Sequence, residues 1–211
     1  MFVDYLRELF EHKRTNPGDD LISALVRSEE GEDTPSEEEL IEMLTLLLFA
    51  GHETVMNLLS NSVVALLSYP AQLAKLRAQP ELAPLVVEEL LRLEGPVTIV
   101  ARRYAAENIQ LGEQLIRAGE TVLLAPASAN HDEAHFTLDD VGIARELNKY
   151  LAFAHSVHYC LGAPLARLEA QEALTALLER FPKLTLGADT ESLARRVNPT
   201  RGLRTLPLRY G

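Results

Sequence analysis

Apolar residues recur every three or four positions along most of the chain, which is the pattern of helices that bury one face. This spacing predicts six helices, over residues 2–14, 21–26, 36–68, 70–78, 81–93 and from Pro164 to about Phe181. Turn signals separate them, among them Asn16-Pro17-Gly18 and Gly95-Pro96. The chain is therefore predicted to be mainly helical.

The third predicted helix is the longest and the most apolar. Ser36 and Glu39 have the spacing of a capping box at its start, and Pro70 stops it. At 1.5 Å per residue it would be roughly 48 Å long. Residues 43–50 are apolar on every face, so we expect this helix to run through the middle of the protein. Polar residues that interrupt the apolar run, such as Asn57, argue against a membrane span.

An alternating pattern of apolar and polar residues follows the fifth helix and returns near the end of the chain, which is typical of short strands. It predicts strands over residues 97–100, 109–111, 121–124, 184–186 and 203–208. Gly112 and residues 118–120 supply the intervening turns. The predicted fold class is therefore mainly α with small antiparallel β-sheets.

Composition and charge limit the class of protein. Of 211 residues, 47% are hydrophobic and 24% are charged, which is ordinary for a globular protein. The net charge of −11 and the lack of a basic cluster argue against nucleic acid as a partner. A single cysteine excludes a disulfide framework and fits a reducing, cytoplasmic environment.

That cysteine, Cys160, stands just before a predicted helix. Gly162 allows a tight turn, and Pro164 suits a first helical position. A helix N-terminus favours an anion, so a thiolate ligand or nucleophile is one interpretation. A buried, inert thiol is a second, and a metal site made of Cys160 with His155 and His158 is a third.

Two further groups of residues carry potential chemistry. Ala50-Gly51-His52-Glu53-Thr54 places a glycine, an acid and a hydroxyl in one turn of the longest helix, which predicts a polar groove. A packing glycine beside a solvated edge explains the same residues. Glu89 and Arg92 are three residues apart on a helix, where they can pair either on the surface or in the interior.

Residues 151–167 resemble the cysteine-ligand loop of cytochromes P450. The residues that match the family pattern are Phe153, His158, Cys160, Gly162 and Leu165-Ala166-Arg167. Ala154 and Ser156 stand where the family has glycine. Glycine there lets the backbone lie close to haem.

Other motifs of the same family follow in the family's order. Residues 50–54 match the oxygen-binding signature of its central helix, and Glu89 and Arg92 match its Glu-x-x-Arg motif. Ala129-Asn130-His131-Asp132, followed by Phe136, resembles the family's Ala-Asn-Arg-Asp segment. Val141 stands where the family usually has an arginine that joins the Glu-x-x-Arg pair, and Arg145 is the nearest substitute.

The resemblance implies a role for each matching residue. Cys160 would be the thiolate ligand to the iron of haem b, and Phe153 would pack beside the sulfur. Thr54 with Glu53 would handle protons during oxygen chemistry, and Glu89 with Arg92 would form a buried structural ion pair. The remaining cofactor-binding residues would be His158 and Arg103 at the haem propionates, with Arg102 as the fallback, and Ala50, Gly51 and Gly162.

As a whole, the resemblance implies a single partial domain over residues 1–211 that corresponds to the C-terminal half of the P450 fold. The implied function is a monooxygenase that takes electrons from a ferredoxin-type partner and acts on a small hydrophobic substrate. Self-association or a complementing half would cover its exposed apolar side. A haem-binding or interaction module without turnover is the alternative, and a helical protein with a His/Cys metal site is the third hypothesis.

Overall fold

The computed structural model describes residues 2–27, 35–100, 102–136, 149–197 and 200–211, with only the backbone of Val197. These residues form two compact units, Met1–His52 and Glu53–Gly211, whose boundary falls inside the longest helix. The single domain over residues 1–211 stays a prediction.

The first unit contains α1 (Phe2–Thr15), α2 (Leu21–Arg27) and the beginning of α3 (Glu37–Ser68). The predicted capping box is confirmed, since the Ser36 N–H donates to Glu39 Oε2 at 2.7 Å and the Glu39 N–H to Ser36 Oγ at 3.3 Å. Its core joins α1 to α3 through the buried residues Leu6, Phe10, Leu40, Ile41 and Leu44.

Helix α3 is long and apolar enough to pass a length and composition test for a membrane-crossing helix. The central helix of a protein that never meets a membrane passes the same test, so this is weak evidence for a membrane.

The second unit contains the rest of α3 and, among its described residues, the α-helices α4 (Pro70–Ala78), α5 (Ala83–Glu94), α6 (Pro126–Ala129) and α7 (Ala163–Arg180). Helix α5 packs against α7. Buried aliphatic residues of α3, α4, α5 and α7 form one core, which includes Leu58, Leu66, Leu73, Leu90 and Leu174. Apolar spacing therefore predicted α3, α4, α5 and α7, because each of them buries an apolar stripe in this core, whereas the four-residue α6 was not predicted.

In the described part of the chain, eight short strands form four two-stranded antiparallel sheets. The pairs are β1 (Arg103–Tyr104) with β4 (Thr121–Val122), β2 (Ile109–Leu111) with β3 (Gln114–Ile116), β5 (Thr185–Leu186) with β8 (Leu208–Arg209), and β6 (Arg195–Val197) with β7 (Arg201–Leu203). In the β2–β3 hairpin, Ile109 lies opposite Ile116. The predicted fold class, mainly α with small antiparallel sheets, is confirmed.

Two strand predictions were wrong. Residues 97–100 form no strand, because Val97 bridges to Thr200 whereas the Val100 N–H donates to the Leu124 carbonyl at 2.9 Å. The two bonds go to different segments, so no ladder forms. Residues 203–208 divide between β7 and β8, since Pro207 has no N–H to give to a ladder and only accepts, from Gly187 at 2.8 Å. Strands β1, β3 and β6 were not predicted, because two or three residues carry almost no alternation.

The β6–β7 hairpin is fixed against polar residues of α3. Asn61 Nδ2 donates to the carbonyl of Arg201 at 3.0 Å and to that of Glu94 at 3.3 Å. A Cβ atom on Gly202 would lie 2.0 Å from Asn57 Oδ1, so only glycine allows the hairpin to approach so closely. This packing brings Thr200, at the start of β7, to Glu53 on α3.

The start of α2 predicts a pH dependence within the first unit. Asp20 Oδ2 accepts from Lys13 Nζ at 2.6 Å and Oδ1 accepts from the Ser23 N–H at 2.9 Å. The Lys13 bond first, and then the Ser23 bond, lower the pKa of Asp20 from its ordinary 3.8 to about 2. The stabilisation that the Asp20 carboxylate contributes to the folded state is therefore complete above about pH 4 and is lost as the pH falls from about 4 to about 2.

We expect Asp20→Asn to remove this part of the acid sensitivity. The measured quantity is the opening free energy of the first unit, from amide hydrogen exchange at pH values between 5 and about 2. Asp19→Asn, at the exposed neighbouring position, is the matched control. Equal acid sensitivity in wild type and Asp20→Asn would contradict the prediction.

Candidate functional site

Cys160 lies at the end of a loop, two residues before the N-cap of α7. Its N–H donates to the Phe153 carbonyl at 2.9 Å, and its own carbonyl accepts from the Ala163 N–H at 3.2 Å. Gly162 is the N-cap residue of α7, and a Cβ atom there would lie 4.0 Å from Cys160 Sγ. The thiol is free and exposed, so the interpretation as a buried, inert cysteine does not hold. An exposed sulfur at the N-terminus of an 18-residue helix can serve as an anionic ligand.

The loop before Cys160 bends at two residues in the left-handed region. Ala154 has φ 61° and Ser156 has φ 58°, and they are the two non-glycine residues with positive φ in the described part of the chain. Each left-handed L-residue costs about 1–2 kcal/mol. The loop therefore keeps the backbone curvature of a glycine-containing segment although both side chains oppose it.

Exposed apolar side chains are grouped along the sequence on both sides of Cys160. Val157 is 90% exposed and Leu161 is 85% exposed, and Leu165 and Leu168 on α7 are each more than half exposed. Exposed apolar residues grouped in this way mark a binding surface rather than a random exposure. A soft sulfur donor beside an apolar surface fits a flat, largely apolar metal cofactor.

A buried ion pair fixes the start of the loop. Arg92 Nη2 and Nε donate to Glu89 at 2.6 and 2.9 Å, and both side chains are 1% exposed. Arg92 Nη1 also donates to the Asn130 carbonyl at 2.7 Å, and its guanidinium lies 4.7 Å from the centre of the Phe136 ring. Asn130 Oδ1 in turn accepts from the Leu151 N–H at 2.7 Å. The pair on α5 thus holds the first residue of the cysteine loop through one intermediate side chain.

A second network joins the neighbouring residue of α5 to both sides of the loop. Glu88 accepts from Arg167 Nε at 2.6 Å and from the Tyr150 hydroxyl at 2.7 Å. Arg167 also donates to the hydroxyls of Tyr150 and Tyr159, each at 3.1 Å, and its Cζ atom lies 4.6 Å from the centre of the Phe153 ring.

These contacts change two proton affinities. Burial, followed by the Glu88 carboxylate, raises the pKa of the Tyr150 phenol. The hydrogen bond to Glu88 raises the pKa of the Arg167 guanidinium. Tyr150 is therefore a neutral hydrogen-bonding group and Arg167 a fixed cation throughout the physiological pH range.

The motif in α3 keeps its helical backbone throughout residues 50–54. Ala50 and Gly51 are exposed and lie in the first unit, and a Cβ atom on Gly51 would meet no described atom within 4 Å. Glu53 and Thr54 are half-buried and begin the second unit. Glu53 Oε1 accepts from the Thr200 hydroxyl at 3.0 Å, which fixes the direction of the carboxylate.

The structure brings some of the predicted residues together and leaves others apart. Cys160, Phe153 and Gly162 are in one group. His158 is exposed in the 3₁₀ turn Ser156–His158, and Arg103 is exposed in β1, where its Nη1 lies 3.4 Å from the Arg102 carbonyl. Within the described ranges, no hydrogen bond joins either of them to the cysteine group.

Three residues of the site were not predicted from the sequence. Glu88 and Tyr150 had no recognisable signal, because their partners on α7 lie 79 and 17 residues further along the chain. Thr200 was missed for the same reason, since its bond to Glu53 spans 147 residues.

Val141, at the position of the arginine that usually joins the Glu-x-x-Arg pair, and Arg145, its nearest substitute, lie outside the described residues. Among the residues that the structure does describe, no group of three or more His, Cys, Asp or Glu side chains is placed to hold a metal ion. The arrangement of His155, His158 and Cys160 therefore gives no support to a His/Cys metal site.

Comparison with known proteins identifies a family. A sequence model described as cytochrome P450 matches residues 75–194. The chain is 48% identical over 211 residues to cytochrome P450 107B1 of Saccharopolyspora erythraea, covering 99% of this chain and 52% of the relative. It is 46% identical over 209 residues to the cytochrome P450 monooxygenase PikC of Streptomyces venezuelae, covering 98% and 50%. The chain spans about half the length of the curated relatives it matches.

Solved structures give the same result for the fold. The Bacillus subtilis cytochrome P450 PksS superposes with a TM-score of 0.92 at 41% identity, covering 98% of this chain and 54% of that one. P450BioI, in complex with an acyl carrier protein ligated to hexadec-9Z-enoic acid, superposes with a TM-score of 0.90 at 41% identity, covering 99% and 53%. The predicted family resemblance and fold are confirmed.

The strained loop gives a stability prediction. We expect Ala154→Gly and Ser156→Gly each to raise the free energy of unfolding of the second unit by about 0.5–1 kcal/mol. Glycine relieves about 1–2 kcal/mol of left-handed strain but adds about 0.5–1 kcal/mol of unfolded-state entropy. Urea unfolding followed by circular dichroism measures the change.

Ala173→Gly, at an exposed position inside α7, is the matched control and should lower stability by about 1 kcal/mol. Loss of stability in the two loop variants, similar to that of the control, would show that the left-handed conformation carries no strain.

Proposed function

Because the chain belongs to the cytochrome P450 family, we propose that it carries the haem-thiolate site of a monooxygenase. Such an enzyme is an oxidoreductase that uses O2 and electrons from a redox partner to oxidise a substrate. The single observation that carries the proposal is the exposed thiol of Cys160 at the N-terminus of α7, in a sequence segment whose apolar side chains are also exposed.

Haem b is the cofactor that these residues fit best. Cys160 is the proposed iron ligand, and the apolar side chains beside it, above all Leu161, would pack on the porphyrin. When bound, haem supplies the redox-active iron, and a thiolate ligand pushes electron density onto it to favour O–O cleavage. Cys160 would be held at the N-terminus of α7, a position that suits an anionic ligand, and its N–H donates to the Phe153 carbonyl so that the loop keeps its shape.

The other cofactor-binding roles are assigned by the family motif. Arg103 and His158 are both exposed, and each can donate hydrogen bonds to a propionate carboxylate. Phe153 is the residue proposed to pack beside the sulfur. Its ring lies between those of Tyr150 and Tyr159, at centroid distances of 6.3 Å. The remaining proposed contacts to haem are made by Gly162, Ala50 and Gly51.

Glu53 and Thr54 are the proposed catalytic residues. The Thr200 hydroxyl donates a hydrogen bond to Glu53 Oε1 at 3.0 Å, so Oε2 is the oxygen proposed to hold and release a proton. Thr54, the next residue on α3, offers a hydroxyl that both donates and accepts. Both residues are assigned to proton delivery, which suits a reaction that consumes protons.

The proposed partners and location follow from the same family. A ferredoxin-type protein would supply electrons, and the substrate would be a small hydrophobic molecule. The acyl chain carried by the protein bound to P450BioI, a structural neighbour, agrees with this substrate class. The proposed location is the cytoplasm, with self-association or a complementing half covering the exposed apolar side, and neither nucleic acid nor a membrane is a proposed partner.

The first test is the spectrum of the reduced, carbon monoxide-treated chain after haem supplementation. We expect wild type to give a thiolate-type Soret band and Cys160→Ser to lose it, because serine is not a thiolate ligand. Far-UV circular dichroism of both proteins checks that the fold is unchanged.

An identical band in Cys160→Ser would refute Cys160 as the ligand. A wild-type band without oxidation of any substrate would favour the alternative function, a haem-binding module without turnover.

The propionate assignments predict a pair of affinity changes. We expect Arg103→Gln and His158→Gln each to weaken haem binding about tenfold or more, since each removes a charge-assisted or directional bond worth about 1.5–3 kcal/mol. Haem titration followed by absorbance measures the affinity.

Arg102→Gln and His155→Gln, at exposed neighbouring positions, are the matched controls. A larger effect of Arg102→Gln than of Arg103→Gln would transfer the propionate role to Arg102.

A further inference from the structure

We propose that Arg167, held by Glu88, is a positioning residue that clamps the loop before Cys160 in the curvature needed for ligation. The inference rests on the proposed function, because positioning of Cys160 matters only if its thiol binds a metal. Glu88 lies on α5 and Arg167 on α7, and neither is among the residues proposed to contact haem.

Arg167 contacts the loop at three points. Its Nη2 reaches the Tyr150 hydroxyl at 3.1 Å, its guanidinium lies over the Phe153 ring at 4.6 Å, and its Nη1 reaches the Tyr159 hydroxyl at 3.1 Å. Tyr150 directly precedes the loop, Phe153 is its third residue, and Tyr159 stands directly before Cys160. A planar, rigid guanidinium can hold three such groups in one geometry, whereas a lysine ammonium presents a single point.

Glu88 holds the guanidinium in place from the facing helix. It accepts from Nε at 2.6 Å and from Nη2 at 3.2 Å, so that two parallel bonds fix the plane of the group. Its Oε2 also accepts from the Tyr150 hydroxyl at 2.7 Å. Both side chains of the ion pair are 28% exposed, so solvent screens the pair only in part.

The strain in the loop explains why a clamp is needed. Ala154 and Ser156 are both held at positive φ, and such residues persist only where the surrounding structure over-determines their conformation. They lie between Tyr150 and Tyr159, the residues that Arg167 holds by hydrogen bonds. The bond from the Cys160 N–H to Phe153 then transmits the enforced curvature to the thiol-bearing residue.

The test is amide hydrogen exchange in the full 211-residue chain without haem. We expect Arg167→Lys and Glu88→Gln to accelerate exchange of the protected amides within residues 150–160 by about tenfold, since each loosens a two-bond contact. Arg180→Lys and Glu172→Gln, at exposed positions of α7, are the matched controls and should leave these amides unchanged.

Exchange in the core peptide 57–66 distinguishes a local effect from a general loss of stability. Acceleration confined to the loop supports the proposal, and equal acceleration in the core peptide overturns it. Tyr159→Phe, which removes a single hydroxyl, gives a milder variant should the others unfold, and it should act on the loop in the same direction. Exchange in Arg167→Lys that matches Arg180→Lys also overturns the proposal.

A background of Ala154→Gly with Ser156→Gly tests the link to strain. When glycine occupies both left-handed positions, Arg167→Lys should accelerate loop exchange at least threefold less than in wild type, because less strain has to be held. An equal acceleration in both backgrounds would overturn the role of the clamp in maintaining curvature.

The haem-supplemented chain gives the spectroscopic readout. We expect Arg167→Lys to reduce the fraction of haem in the thiolate-type state, while Arg180→Lys does not. If wild type itself gives no thiolate-type band, the proposed function fails, and the exchange experiment still decides the positioning role separately. A full thiolate-type fraction in Arg167→Lys overturns the positioning role and leaves the proposed function intact.

Discussion

The buried ion pair between Glu89 and Arg92 is the constraint on which the second unit depends. A guanidinium taken fully out of water needs a partner for nearly every donor, because an unpaired buried charge costs several kcal/mol. Arg92 satisfies this demand with a carboxylate on its own helix, the Asn130 carbonyl and the face of Phe136. The segment that contains Asn130 and Phe136 must therefore pack against α5 for the buried charge of Arg92 to be satisfied.

Two adjacent glutamates of α5 hold the cysteine loop through separate hydrogen-bond networks. Glu89 acts in the interior and reaches Leu151 through Arg92 and Asn130. Glu88 acts at the half-buried edge and reaches the loop through Arg167 on α7. Successive residues of a helix point about 100° apart, so the two networks approach the loop from different directions. The loop is thereby held at its start and along its length while its thiol stays exposed.

The sequence predicted those features whose causes are local or periodic. Apolar spacing placed the helices, and the Ser36–Glu39 capping box set the start of α3, because both depend on residues within one or two turns. The strands were predicted less well, since strands of two or three residues carry almost no alternation. Motif order led to Cys160 and to the Glu89–Arg92 pair, but Glu88, Tyr150 and Thr200 owe their roles to tertiary contacts that no spacing reveals.

The hairpin on α3 has a consequence for how the chain folds as it is made. Asn61 and Glu53 find their partners Arg201 and Thr200 only 140 and 147 residues later in the sequence. Contacts with such long sequence separation form late and slow folding, because the entropy of closing the loop must be overcome first. During synthesis, the polar groups on this face of α3 are therefore exposed to water until β7 has been translated and the hairpin can pack against the helix.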